Sequence, residues 1–261
     1  MRLYTALSVA GSDPGGGAGI QADLKTFRDR GVYGMAAITA LTVQNTRGVQ
    51  RVEAVEGRLV SAQVSAVLDD LPVGAIKVGM VPGEEVIHAL CQVLERRPAG
   101  IPLVIDPVML AKDGTPLLPP SALRLYVERL LPLATLVTPN LPERAALDAL
   151  GWRPAGAVLT KGGHASGERV MDELSIDGQL RRFHHRRIRS VHTHGTGCTL
   201  SAAIAAELSR GVPLPEAVGR SIRYVSQLIR EAQPGLGGGQ GPLWHGLRAR
   251  SGRPTTGNAD D

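Results

Sequence analysis

Four residues that could bind a metal nucleotide lie at or near the ends of strand-like segments. Asp106, Asn140 and Lys161 each come at or just after such a segment, and Glu143 lies one helical turn beyond Asn140. Carboxylates suit Mg²⁺ held beside nucleotide phosphates, and a lysine suits the phosphates themselves. This set is typical of a phosphoryl-transfer site. For Asn140 and Glu143 an alternative stays open, because their spacing is also that of a capping box at the start of a helix.

A second candidate site lies where two glycines open an alanine-rich helix, at Gly195, Thr196, Gly197 and Cys198. Free backbone N–H groups at a helix start, together with the positive end of the helix dipole, make a site for an anion. We expect the same position to stabilise the Cys198 thiolate and to lower the pKa of its thiol. The alternative is a helix cap that contains a small buried cysteine.

The glycine-rich turn at 15–19 is a third candidate for close ligand contact. It is not a Walker loop, because no Gly-Lys-Ser/Thr sequence closes it. It also lacks the glycine spacing and the acidic partner of a dinucleotide-binding fingerprint, which argues against a nicotinamide dehydrogenase. A tight structural turn would explain the glycines equally well.

The elements that must position these residues alternate between strand-like and helical segments. Strands are predicted over 3–10, 35–43, 75–78, 103–106, 135–138 and 157–160, with a hairpin over 169–176 and 179–188. Helices are predicted over 20–30, 59–68, 84–94, 121–131, 199–209 and 214–229. This alternation predicts an α/β fold, with a mostly parallel central sheet and helices on both faces. Ligands of such folds bind outside the carboxyl ends of the strands.

The composition is that of an ordinary globular protein, with 43% hydrophobic and 20% charged residues among 261. We expect one domain at 1–248 and a disordered tail at 249–261, where small and polar residues offer nothing to bury. Two cysteines and the lack of a signal-peptide pattern predict a cytoplasmic protein. No apolar run reaches the length of about 18 residues needed for a membrane span, so no membrane partner is expected.

The net charge of +5 suits either nucleic acid or anionic small molecules such as nucleotides. Aromatic residues make up only 3%, so stacking platforms for single strands are scarce, and we expect no nucleic-acid partner. The basic run at 181–189 is interpreted as a strand edge kept charged against edge pairing. Cys91, midway along an apolar helix, is expected to serve packing, and His192 and His194 are expected to be loop residues.

Taken together, these motifs resemble the hydroxymethylpyrimidine/phosphomethylpyrimidine kinases of the ribokinase-like superfamily. The resemblance extends from residue 3 to about 245 in the family's order. It rests on GSDPGGGAGIQADLKTF (11–27), QNTRGVQ (44–50), KVGM (77–80), DPVM (106–109), TPNLPE (138–143), KGGH (161–164) and HGTGCTLS (194–201). It implies a three-layer ribokinase-like fold, ATP as co-substrate, Mg²⁺ as the metal and a homodimer. The implied reactions phosphorylate 4-amino-5-hydroxymethyl-2-methylpyrimidine and then its monophosphate, for thiamine biosynthesis.

The resemblance also implies a role for each matching residue. Those implied for the pyrimidine pocket are Gln44, which would read the ring, and Gly11, Asp13 and Met80. Those implied for Mg-ATP are Asp106, Asn140 and Glu143, with the metal held by Asp106 and Glu143 through water. Those implied for the transfer are Lys161 at the phosphates, the amides of Gly195, Thr196 and Gly197 at the γ-phosphoryl group, and Cys198 as the base.

Two points set limits on this resemblance. A pyridoxal kinase of the same superfamily is the nearest rival, and Gln44 speaks against it because relatives of that type usually lack this glutamine. The segment between Asn140 and Lys161 is shorter than the family normally has. A short helix ending near residue 150 must therefore lead almost directly into the strand at 157–160.

Overall fold

A nine-stranded sheet forms the centre of the computed structural model, which describes residues 3–246. In chain order the strands are β1 (Thr5–Ser12), β2 (Tyr33–Asn45), β3 (Gly48–Ala54), β4 (Ile76–Val78), β5 (Leu103–Ile105), β6 (Leu136–Val137), β7 (Ala157–Thr160), β8 (Arg169–Ile176) and β9 (Gln179–Arg186). Their spatial order is β3-β2-β1-β4-β5-β6-β7-β8-β9. The pairs from β2 to β7 are parallel, and β3, β8 and β9 add antiparallel edges. The mostly parallel sheet is confirmed. The predicted tail at 249–261 lies outside the described residues.

Seven α-helices are assigned within residues 3–246. They are α1 (Gly19–Asp29), α2 (Gly57–Asp70), α3 (Glu84–Leu94), α4 (Pro120–Leu125), α5 (Leu141–Ala149), α6 (Thr196–Ser209) and α7 (Leu214–Glu231). One core cluster packs α2, α3 and α4 on one face of the sheet, and a second packs α1, α6 and α7 on the other. The predicted layers of helices on both faces are confirmed.

The two cores follow from the apolar spacing of the sequence. Val60 and Val64 lie one helical turn apart on α2, and both are fully buried. On the central strand β5, Leu103 and Ile105 pack into the first core cluster and Val104 into the second, so this strand is apolar on both faces, as a parallel strand covered by two helical layers must be. Burying each such side chain contributes about 1.5–3 kcal/mol, so the layers hold without a disulfide.

One predicted helix differs from the observed structure, and one observed strand was not predicted. The helix predicted over 121–131 is α-helical only at Pro120–Leu125 and continues as a π-turn at Tyr126–Leu130 and a 3₁₀ turn at Leu131–Leu133. Pro132 lies in that last turn and has no N–H to continue an α-helical ladder. Strand β3 was not predicted, because most of its residues are exposed on both faces and show no alternation of apolar and polar types.

The parallel strands deliver their carboxyl ends to one edge of the sheet. Met80 lies just beyond β4, Asp106 directly beyond β5, and Asn140 and Lys161 beyond β6 and β7. A parallel bridge between Asn140 and Lys161 extends the pairing of β6 with β7. Within residues 3–246, no helix combines the length and the apolar character that crossing a membrane requires.

Candidate active site

A cavity of about 990 Å³ opens at the carboxyl edge of the sheet. It is lined by all twelve residues to which the resemblance gives a role, which are Gly11, Asp13, Gln44, Met80, Asp106, Asn140, Glu143, Lys161, Gly195, Thr196, Gly197 and Cys198. Of the glycine-rich turn at 15–19, only Ala18 and Gly19 line it. These residues come from distant parts of the chain. The topology of the sheet therefore brings these residues together in one cavity. The role that the resemblance implies for each of them stays a prediction.

Asp106 and Lys161 form an ion pair at this edge. Lys161 Nζ lies 2.6 Å from Asp106 Oδ1, and Thr138 Oγ1 donates a hydrogen bond of 2.9 Å to the same oxygen. Burial raises the pKa of Asp106, but the charges of Lys161 and Lys77 outweigh it and hold the pKa below its ordinary value. The carboxylate is therefore ionised, and it compensates most of the positive charge of Lys161.

Glu143 combines a structural bond with a place in the cavity wall. Asn140 Oδ1 accepts the backbone N–H of Glu143 at 2.9 Å, and Glu143 Oε2 accepts that of Asn140 at 2.8 Å. The capping box that the sequence allowed is thus confirmed. Burial raises the pKa of Glu143 to about 7; Lys161 opposes this effect, and the neighbouring Asp106 adds to it. A cation placed beside Glu143 would favour its ionised form.

Asp106 and Glu143 together offer a fitting donor set for Mg²⁺. Both carboxylates line the cavity, and within the described residues no cluster of three or more His, Cys, Asp or Glu side chains surrounds a common point. Mg²⁺ commonly uses one or two carboxylates and fills its other positions with phosphates and water. Two carboxylates therefore suit Mg²⁺ better than a metal that needs a complete set of protein ligands.

The first turn of α6 lies against the glycine-rich turn that precedes α1. Gly195 is in the left-handed region at φ +76°, and a Cβ atom there would lie 1.8 Å from the carbonyl oxygen of Gly17. A Cβ on Gly197 would lie 3.4 Å from Asp106 Oδ2 and 3.5 Å from Lys161 Nζ. Only glycine allows this approach at position 195. The first turn of α6 therefore lies against the ion pair at Gly197.

Cys198 sits on this first turn, and its expected low pKa is wrong. Burial raises the pKa of the Cys198 thiol above its ordinary value, and the charges of Asp23 and Asp106 add to the effect. The Lys77 ammonium and the backbone N–H of Gly19 act in the opposite direction and are outweighed. Burial is a tertiary property that the helix-start pattern does not report. The resting thiol is consequently protonated at neutral pH.

A buried ion pair lies below the cavity between β4 and α1. Lys77 Nζ is 2.8 Å from Asp23 Oδ2, Ser8 Oγ donates to the same oxygen at 2.5 Å, and all three side chains are fully buried. The sequence pattern placed Lys77 at a strand end but did not predict its partner. The sequence does contain a signal for this ion pair. Lys77 lies inside an apolar strand and Asp23 on the buried face of a helix, and buried charges of opposite sign usually pair.

Gln44 and Met80 lie at the end of the cavity nearest β1 and β2. Gln44 Oε1 accepts a hydrogen bond of 3.2 Å from Thr42 Oγ1, and its side chain is only half buried. Met80 is buried, and a Cβ atom on Gly11 would come within 2.9 Å of its sulfur. Gly11 therefore makes room for the Met80 side chain to line this end of the cavity.

Asp13 and His194 connect the two glycine-rich turns. Asp13 accepts the backbone N–H groups of Gly15, Gly17 and Ala18 at 2.8–3.1 Å, and His194 Nε2 lies 2.8 Å from its Oδ2. Burial raises the pKa of Asp13, but His194 and the backbone N–H groups outweigh it and keep that pKa low.

His194 lies in the loop before α6, as predicted, but its contacts were not predicted. Its Nε2 also lies 3.4 Å from Gln44 Nε2, so His194 borders Gln44 as well as Asp13. No spacing pattern indicates these contacts, because the partners are 181 and 150 residues away.

The opposite end of the cavity is largely apolar and lies between β8 and the helices α6 and α7. Its wall includes the side chains of Val170, Leu200, Ile222, Val225 and Ile229. The basic run forms β9 at the edge of the sheet, and most of its residues are exposed, as predicted. Arg186 and Arg187 of this run also line the cavity.

Three comparisons relate this chain to proteins of known kind. The family model described as Phosphomethylpyrimidine kinase matches residues 13–244. A hydroxymethylpyrimidine/phosphomethylpyrimidine kinase of Rhizobium meliloti is 50% identical over 258 residues, which cover 92% of this chain and 96% of the relative.

Two solved structures are also similar. The ADP complex of Bacillus subtilis pyridoxal kinase superposes with a TM-score of 0.83 at 32% identity, covering 94% of this chain and 98% of that one. The phosphomethylpyrimidine kinase of Clostridium difficile 630 has a TM-score of 0.72 at 39% identity, covering 86% and 98%. The similarity thus covers nearly the whole chain in sequence and in structure. This chain belongs to the phosphomethylpyrimidine kinase family.

Proposed function

We propose that this protein transfers the γ-phosphoryl group of ATP to the hydroxymethyl oxygen of 4-amino-5-hydroxymethyl-2-methylpyrimidine, and then a second phosphoryl group to the monophosphate. One observation carries the proposal: the Asp106 and Lys161 ion pair lies against the first turn of α6 at Gly197, in the cavity that Gln44 also lines. That arrangement joins a phosphate-binding centre to an amide able to read an aminopyrimidine.

The pyrimidine occupies the end of the cavity next to β1 and β2. Gln44 offers both a donor and an acceptor to the edge of the ring, and Met80 packs against its face. Asp13 acts mainly through the turn that it organises, because its carboxylate is already engaged by three backbone N–H groups and His194. The apolar end between β8 and α7 accommodates the base of ATP.

The phosphates of ATP lie at the centre of the cavity. Asp106 and Glu143 hold Mg²⁺ through water, and Asn140 fixes the Glu143 carboxylate by the capping box. When bound, Mg²⁺ supplies positive charge that offsets the negative charge of the phosphate oxygens. Lys161 and the residues Gly195, Thr196 and Gly197 line the same cavity, and we assign their ammonium and amide groups to the phosphates.

In the first transfer, the substrate oxygen bonds to the γ-phosphorus while the bond from that phosphorus to the bridging oxygen of ADP breaks. The electron pair leaves with ADP, and the hydroxyl proton passes to the Cys198 thiolate. The amides of the α6 first turn stabilise charge on the phosphoryl oxygens, which is the main source of acceleration at such sites. A loose transition state needs its base only late.

Because burial raises the pKa of Cys198, the thiolate is a minor form at neutral pH, and the first transfer should depend on the thiolate fraction. The second transfer differs, since its acceptor is a phosphate oxygen that already carries negative charge. No base is required there, so Cys198 matters less.

We further propose that residues 1–248 act as one kinase domain and that the enzyme is a cytoplasmic homodimer. Both cysteines, Cys91 and Cys198, are free thiols, which suits a reducing compartment. Leu41 and Val43 on β2 are each about half exposed, at 53% and 51%, and offer apolar surface for a second copy.

A coupled assay for ADP release tests the proposal. Hydroxymethylpyrimidine, its monophosphate and pyridoxal are compared as acceptors at saturating Mg-ATP. We expect the two pyrimidines to be used with the higher kcat/KM. The pyridoxal kinases among the similar structures favour pyridoxal as the second candidate. Turnover with pyridoxal alone would replace the proposed function by that one.

A further inference from the structure

The loop at 107–118, between β5 and α4, forms one wall of the cavity. It folds on itself through a backbone bond of 2.8 Å from Ala111 N–H to the carbonyl oxygen of Thr115. The Asp113 carboxylate accepts the N–H of Val49 at 2.8 Å, which ties the loop to β3. This defined geometry places Lys112, the residue before Asp113, at the mouth of the site.

Lys112 reaches across the cavity mouth toward the start of α6. Its ammonium group donates a hydrogen bond to the carbonyl oxygen of Thr193, two residues before Gly195. Lys112 also lines the cavity, and a Cys198 thiolate would lie within electrostatic reach of it. The Lys112 side chain thus extends from the loop at 107–118 to the start of α6, where the amides proposed for phosphoryl transfer lie.

The charge of Lys112 is uncompensated, in contrast to the two other lysines near the site. Lys161 is paired with Asp106 at 2.6 Å and Lys77 with Asp23 at 2.8 Å. In the described part of the chain, no carboxylate lies within salt-bridge distance of the Lys112 ammonium. Lys112 is exposed as a whole, but desolvation of its ammonium at the cavity wall lowers its pKa to about 8, as expected where no carboxylate compensates the charge.

We propose that Lys112 is a further catalytic residue, whose ammonium leaves the Thr193 carbonyl and binds a non-bridging oxygen of the phosphoryl group in transfer. This inference rests on the proposed phosphotransferase function. The chain has only four lysines against twenty-five arginines. A compact ammonium with three rotatable donors can follow a phosphoryl group from donor to acceptor, which a rigid guanidinium cannot do equally well.

The physical need for such a cation follows from the charges at the site. Because Asp106 neutralises Lys161, this pair contributes little net positive charge to the transferring group. Lys112 supplies a further positive charge beside the start of α6. A cation already positioned at the site stabilises the charge that develops on the phosphoryl oxygens.

The test compares Lys112→Met with Lys25→Met in the full-length enzyme. Lys25 is a matched control, because it also donates to a main-chain carbonyl, that of Gly16, but does not line the cavity. Rapid-quench single turnovers with saturating Mg-ATP measure the two half-reactions separately, and calorimetry measures Mg-ADP binding. We expect Lys112→Met to slow both transfers by about 10²–10³-fold, as removal of one charge-stabilising donor does. Mg-ADP affinity should stay within about threefold, and Lys112→Arg should recover part of the rate.

Lys25→Met should retain the wild-type rates. A Lys112→Met enzyme with wild-type rates in both transfers would overturn the inference, and so would a loss confined to the second transfer, which would assign Lys112 to the acceptor phosphate. The wild-type enzyme in the same experiment reports on the proposed function itself. If it phosphorylates only pyridoxal, the proposed function fails, and the comparison of Lys112→Met with wild type on pyridoxal still decides the role of Lys112.

Discussion

Replacing Glu143 by glutamine should remove part of the pH dependence of folding stability. Burial raises the pKa of Glu143 from its ordinary 4.5 to about 7, so the native state binds this proton more tightly than the unfolded chain does. The stability that comes from the bound proton is fully present below about pH 4.5 and is lost as pH rises through about 7. The difference corresponds to at most about 3.5 kcal/mol, since one pKa unit equals about 1.4 kcal/mol. Glutamine stays neutral throughout and can still accept the Asn140 N–H.

Urea unfolding of the wild type and of Glu143→Gln at pH 5 and at pH 8 provides the measurement. Relative to the variant, the wild type should lose up to about 3 kcal/mol of unfolding free energy between these two pH values. Glu128→Gln is the control, because its carboxylate is 57% exposed on the surface of the protein, and it should follow the wild type. Parallel pH curves for Glu143→Gln and the wild type would refute the reasoning that Glu143 is protonated in the free site.

Three further predictions concern the cavity. Gln44→Ala should weaken binding of the pyrimidine by about 1–3 kcal/mol and leave Mg-ADP binding unchanged in calorimetry, because buried polar groups of the ring lose their partner. Cys198→Ala should slow the first transfer by about 10²–10⁴-fold and spare the second, and equal losses in both steps would contradict the base role. In the wild type, only the first transfer should accelerate with rising pH, because only that step uses the Cys198 thiolate. Gly195→Ala should abolish measurable Mg-ADP binding, since its Cβ would lie 1.8 Å from the Gly17 carbonyl oxygen; normal binding would show that the two turns can separate.

Much of the fold was predictable because strand ends and helix starts carry local signals. The apolar runs that became β4, β5 and β7 were identified within two residues, and the capping box at Asn140 followed from spacing alone. The carboxyl-edge rule for parallel sheets then predicts that Asp106 and Lys161 lie close together. These predictions needed only patterns within short windows of sequence.

The remainder depended on contacts between distant segments. The pKa of Cys198 follows from burial and from Lys77 and Asp23, none of which its helix-start pattern reports. His194 meets Asp13 only because two glycine-rich turns interlock. Strand β3 lacks a buried face, so its pairing with β2 left no alternation to detect.

The most direct test of the central claim is a ³¹P NMR time course with Mg-ATP and hydroxymethylpyrimidine as the only acceptor. The account predicts a phosphate monoester signal that rises first and is then replaced by a pyrophosphate ester, with two ADP formed for each pyrimidine consumed. An absence of any pyrimidine phosphate, under conditions in which the same enzyme phosphorylates pyridoxal, would contradict it.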